Sequence, residues 1–102
     1  MIVKRQYLKT KPVCKVTFKL SKDEAKQAKT VKLLGDFNEW NVSTSPMKSL
    51  KNGGFTATLD LEKGKDYQFR YLLDEKEWEN DWQADAYIPS ALAYEDNSVI
   101  SV

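Results

Sequence analysis

Residues 54–74 read "GFTATLDLEKGKDYQFRYLLD", and this stretch decides the fold. Phe55, Ala57, Leu59 and Leu61 alternate with Thr56, Thr58 and Asp60. After the turn "EKGKD" the alternation resumes, with Tyr67, Phe69, Tyr71 and Leu73 against Gln68, Arg70 and Leu72. A period of two sends successive side chains to opposite faces of an extended chain, so each run predicts a strand with one face on a core. Just upstream, "KNGG" carries the Asn–Gly chemistry of tight turns with positive φ, which makes "MKSLKNGGFTATLDL" a hairpin.

The same pattern extends in both directions. "PVCKVTFKL" places Cys14, Val16, Phe18 and Leu20 on one face and Lys15, Thr17 and Lys19 on the other. "TVKLLGDF" is a further strand with Val31 and Leu33 inward, and Gly35 marks a bulge or a close approach of two backbones. "SKDEAKQAK" has Ser21 and Glu24 at capping-box spacing but almost no apolar face, so it reads as a solvated connection. "NEWNVSTSP" is a loop, "DEKEWENDWQADAYIPSALAYED" is irregular, acidic and aromatic, and "NSVISV" is a last short strand. Many short strands with no convincing helix predict an all-β antiparallel sandwich of about seven strands. Its inward set is Cys14, Val16, Phe18, Val31, Leu33, Phe55, Leu59, Phe69 and Tyr71. Residues 1–12 are expected to be an N-terminal extension, and 13–102 the single domain.

Composition narrows the chemistry. The chain has 102 residues, enough for one core, and 16 basic against 15 acidic residues give a net charge of +1. A nucleic-acid binder would carry a strong basic excess. Histidine is absent and Cys14 is the sole cysteine, so there is no histidine-based triad, no histidine metal ligand and no intrachain disulfide. No catalytic residue, metal or cofactor is expected. Carboxylates crowd the segment from Asp74 to Asp96, but they read as a solvated loop. They lack both the enclosed pairing of a glycosidase and the Asp/Asn/Gly pattern of a calcium loop. The N-terminus lacks a signal peptide's apolar core, and no apolar run approaches the ~20 residues of a membrane span. The expectation is a cytoplasmic protein, in which the Asn41-Val42-Ser43 sequon is incidental. The remaining candidates are the three tryptophans. An indole has a broad apolar face and one N–H donor, which suits the C–H face of a pyranose as well as it suits a core. Periodicity does not decide between the two, because Trp40, Trp78 and Trp82 all lie outside the alternating runs.

"VKLLGDFNEWN", residues 31–41, resembles the V-x-L-x-G-x-F-N-x-W signature of family 48 carbohydrate-binding modules. This family includes the isoamylase-type N-terminal (early set) domains and the glycogen-binding domain of AMP-activated protein kinase β subunits. Residues 54–74 resemble the family's hairpin, and "WENDWQADAY" and "EDNSVISV" its C-terminal part, so the likeness covers roughly residues 13–102. The resemblance implies an all-β, immunoglobulin-like antiparallel sandwich that serves as a non-catalytic module for α-1,4-glucans such as glycogen or starch. It also implies a carbohydrate-binding set in which Trp40 and Trp78 stack on sugar and Arg70 and Asn97 hydrogen-bond its hydroxyls. Tyr94 is the candidate for the family's capping loop residue, for which "SALAYED" shows no clear equivalent. Trp82 has no counterpart on that platform and is expected to pack. The alternative is a protein-interaction domain that docks a glucan-metabolising enzyme or a kinase-type partner. Family 13 enzymes place a catalytic barrel after this module, and none follows here, so a stand-alone module is expected.

Overall fold

A computed structural model describes residues 1–90 and 95–102. Strand β2 (Val13–Leu20) shows how the alternation becomes a core: Cys14, Val16, Phe18 and Leu20 are fully buried, whereas Lys15 and Lys19 are exposed. It pairs antiparallel with β5 (Phe55–Glu62) from Val13↔Glu62 to Leu20↔Phe55. On the far side of β5 lies the short β4 (Lys48–Ser49), joined to it through the predicted "KNGG" turn, where Gly53 takes φ +87°. The edge beyond β2 is β1 (Ile2–Tyr7), which completes a sheet in the order β1-β2-β5-β4.

The second sheet is built around β6 (Asp66–Leu73). On one side β6 pairs with β3 (Val31–Gly35). On the other side β9 (Asp96–Ser101) pairs with its first half and β7 (Glu77–Glu79) with its second half. Strand β8 (Ala86–Pro89) forms the edge beyond β9. Both sheets are antiparallel and face each other, as the alternation predicts. Between them lie Val16, Phe18, Val31, Leu33, Phe55, Phe69, Tyr71, Leu73 and Ile100, among others. Phe69 meets Phe18 edge-on at 5.4 Å and Tyr71 at 5.9 Å between ring centroids.

Four expectations change. Residues 1–12 are read from sequence as an extension, but Ile2–Tyr7 pair with β2 and the side chains of Met1 and Ile2 enter the core. β1 lacks the alternation that marks the inner strands, because it is an edge strand buried only at its start. Residues 54–74 alternate as expected yet do not form a hairpin: β5 belongs to the first sheet and β6 to the second, so the turn at Gly64 crosses between sheets. Leu59 packs against the core as expected but stays half-buried, because β4 covers β5 only at Phe55 and Thr56. The "SKDEAKQAK" segment does contain the Ser21/Glu24 reciprocal cap, with Ser21 N–H donating to Glu24 Oε1 at 2.7 Å and Glu24 N–H to Ser21 Oγ at 3.1 Å. It forms only turns, however, and drops Ala25 into the core. Nine strands stand among the described residues, where the sequence predicts about seven. No helix among these residues is long and apolar enough to cross a membrane.

Candidate functional site

Each residue of the "GDFNEW" stretch has a separate structural task. Gly35 sits where β3 meets β6. A β-carbon there would lie 2.5 Å from the Gln68 carbonyl oxygen and 2.7 Å from Phe69 Cβ, so glycine answers a close approach of backbones. Phe37 plugs the end of the core, with ring centroids 6.2 Å from Tyr67 and 6.3 Å from Phe18. Asn38 ties the 3₁₀ turn Asp36–Asn38 back to its strand, accepting from Gly35 N–H at 3.0 Å and donating to the Leu33 carbonyl at 2.9 Å. Asp36 uses one carboxylate oxygen for Gln68 N–H (2.8 Å) and the other for the Trp40 indole N–H (3.0 Å). Glu39 and Trp40 both adopt left-handed backbone, φ 57° and 56°. Such residues cost about 1–2 kcal/mol each outside glycine, strain that persists only where the surroundings hold it. Here the Asp36 carboxylate and the bond from Trp40 N–H to the Gly35 carbonyl (3.0 Å) hold the indole over the outer face of the second sheet.

Trp78 reaches the same face from β7. The turn from β6 to β7 has left-handed Asp74 and Glu75, and the Asp74 carboxylate accepts from Lys29 N–H (2.8 Å) and Thr30 N–H (3.0 Å). Trp78 then lies opposite Leu72 and meets Trp40 with ring centroids 6.2 Å apart and ring planes at 59°. The guanidinium of Arg70 stands 5.4 Å from the Trp78 ring centroid, within cation–π range. Arg70 Nε donates to Asn97 Oδ1 at 2.6 Å, and Asn97 Nδ2 donates to Gln68 Oε1 at 3.0 Å. The Glu95 carboxylate lies 3.7 Å from an Arg70 terminal nitrogen.

The structure therefore brings Trp40, Arg70, Trp78 and Asn97 into one cluster. Tyr94 lies outside the described residues. Arg70 is in the outward phase of β6 as expected, but it is only 8% exposed, because Trp78 lies over it. The alternation of β6 carries a signal for this cover. Leu34, Leu72 and Val99 occupy the outward phase yet are buried, apart from the core between the sheets. Apolar residues on both phases of a strand mean that both faces are covered. Two contributors escaped the sequence reading. Gln68, beside Arg70 on the outward phase, anchors Asn97, and Asp36, visible only as a turn former, orients Trp40. Trp82, expected to pack, is 57% exposed: its neighbour Asp81 turns inward and leaves the indole at the surface.

The sequence that builds this cluster has a counterpart among known families. The model of carbohydrate-binding module 48, the isoamylase N-terminal domain, matches residues 15–88, from β2 to β8. The chain belongs to this family. Among curated proteins none matches the chain. Membership makes it a carbohydrate-binding module, and the match includes three of the clustered residues, Trp40, Arg70 and Trp78. Among the described residues, no group of three or more His, Cys, Asp or Glu side chains is placed to hold a metal ion.

Proposed function

We propose that the Trp40–Trp78 face binds an α-1,4-linked glucan, such as glycogen or starch, and that the module binds without cleaving. The observation that carries this reading is the angle between the two indoles. Rings tilted by 59° with centroids 6.2 Å apart form a bent platform. Successive pyranoses of an α-1,4-glucan turn relative to one another, so a bent pair fits them where a flat pair would suit an extended chain. Beneath the rings, Arg70 and Asn97 supply donors whose positions are set by their bond to each other before any sugar arrives. Left-handed backbone at Glu39 and at Trp40 itself agrees with a functional role for the placement of the first indole. A cytoplasmic setting agrees with a buried free thiol and an intracellular glucan.

Such a site is open and has few anchors, so affinity for short maltooligosaccharides should be micromolar to millimolar. Removing one stacked ring should cost about 1–3 kcal/mol, by analogy with aromatic stacking on nucleobases. The test is NMR titration with maltoheptaose of the wild-type protein, Trp40→Ala and Trp78→Ala, each checked for folding. Shifts that cluster around Trp40, Arg70, Trp78 and Asn97 and fade in both variants are expected. No shifts in the wild type at millimolar sugar, or normal binding by both variants, would replace this reading with that of a domain docking a glucan-metabolising enzyme.

A further inference from the structure

We infer that the binding surface continues past Trp78 into the groove between β7 and β8, where Tyr87 receives a further stretch of the same glucan chain. The inference rests on the platform reading above and adds a second contact region to it. Trp78 is shared by both regions. It meets Trp40 on the platform, and it also forms a wall of a groove of about 820 Å³ that Tyr87, Asn80 and Asp96 line as well. That volume lies within the range of roughly 300–1,000 Å³ typical of small-ligand sites.

The groove combines features suited to a neutral, hydroxyl-rich chain. Tyr87 is 45% exposed, yet it is fixed in place, because its hydroxyl donates to the Asp81 backbone carbonyl at 2.5 Å. A ring held this way loses little freedom when a sugar stacks on it. Asn80 is engaged through both polar atoms of its amide, donating to the Asp96 carbonyl at 2.8 Å and accepting from Ser98 Oγ at 2.7 Å, so it shapes the floor. Glu77 and Glu79 hold Lys26 at 3.0 and 2.9 Å. The Asp96 carboxylate makes no hydrogen bond or ion pair among the described residues, so it is available to accept from a sugar hydroxyl, a charge-assisted bond stronger than a neutral one. Four carboxylates against two lysines along the rim disfavour an anionic ligand, and the Trp78 and Tyr87 rings offer apolar faces that suit the C–H faces of pyranoses. A chain that stacks on rings and donates hydroxyls satisfies both walls.

The experiment compares maltotriose, which the platform alone accommodates, with maltoheptaose, which spans platform and groove. Binding is measured by NMR titration for the wild type, Tyr87→Ala, Tyr87→Phe and Asp96→Ala. The wild type should bind the longer sugar more tightly. Tyr87→Ala should lose about fivefold or more for maltoheptaose, the lower end of what one stacked ring contributes, and keep its affinity for maltotriose. Tyr87→Phe keeps the ring and should bind maltoheptaose close to the wild type, which separates stacking from loss of the bond to Asp81. Asp96→Ala leaves that bond untouched and should weaken the longer sugar selectively. If wild type binds both sugars equally, or if Tyr87→Ala and Asp96→Ala match it on maltoheptaose, the extension is overturned and the platform stands. If Tyr87→Ala and Asp96→Ala weaken both sugars alike, the extension also falls. If wild type binds neither sugar, the platform and its extension fall together.

Discussion

Asp81 is fully buried and gathers donors from three parts of the chain. Its Oδ2 accepts from Ile2 N–H at 2.8 Å and from the Tyr71 hydroxyl at 2.7 Å, and its Oδ1 accepts from Gln83 N–H at 2.7 Å. Its own N–H donates to Ser98 Oγ at 2.8 Å. Burial, reinforced by the nearby carboxylate, pushes the Tyr71 phenol well above its usual range, so it remains a donor. Asp81→Ala would strand a buried hydroxyl and two backbone N–H groups. Each such loss costs about 1–3 kcal/mol, so destabilisation of about 3 kcal/mol or more is expected in urea unfolding; a change below 1 kcal/mol would mean that water replaces the carboxylate freely. In the sequence Asp81 is one acid among many in an irregular stretch, and nothing local separates it from its solvated neighbours. Trp40 and Trp78 were legible because the "GDFNEW" and "YLLDEKEW" stretches carry a family pattern. The depth of Arg70 was also legible in principle. Leu34 and Leu72 break the polar side of two alternations, and only a covering layer makes an apolar outward residue favourable.

At the scale of elements, alternation found the strands whose inner faces meet the core and missed those at the margins. Strand β1 has buried residues only at its start, and all four residues of β8 are exposed. Both are edge strands: β1 is interrupted by charge, and β8 is short and ends in a proline, features that keep an edge from pairing further. They are joined across the open side of the sandwich. Arg5 of β1 donates through two nitrogens to the Asp85 carboxylate, at 2.9 and 2.8 Å, and Ser101 N–H of β9 donates to the same carboxylate at 2.8 Å. The hydrogen bond from Arg5 holds the Asp85 carboxyl below its usual value of 3.8. A carboxylate with a depressed folded pKa contributes stability that is present above the unfolded pKa and lost as pH falls through the folded one. Both side chains are partly exposed, at 28% and 32%, so the pair should be worth about 0.2–1 kcal/mol. Urea unfolding of wild type and Asp85→Asn should therefore differ by that amount at pH 6, and the two should converge as pH drops below 3.8. A difference unchanged at pH 3 would show that the pair does not set it.

For the whole molecule, the decisive event is the crossing at Gly64. Two adjacent alternating runs can form a hairpin or split between facing sheets, and alternation alone is the same in both. Here the crossing puts β5 against β2 and β6 against β3, β7 and β9, so that each sheet has a central strand buried by the other. Phe18 and Phe69, from opposite sheets, meet edge-on at the centre. Cys14 lies on β2, paired between β1 and β5, with its side chain fully buried in this core. No edge fluctuation reaches that position without breaking pairing on both sides of β2, so its thiol reports on opening of the entire sandwich. For a domain with stability of about 5 kcal/mol, roughly one molecule in several thousand is open at any moment. Modification of Cys14 by a thiol reagent in native buffer should be slower than in denaturant by at least about a thousandfold, in line with that population. The expected retardation should shrink in Asp81→Ala by the same free energy that urea unfolding reports, because both experiments then measure one cooperative transition. Rapid native labelling would place Cys14 outside the core and reverse the phase of β2.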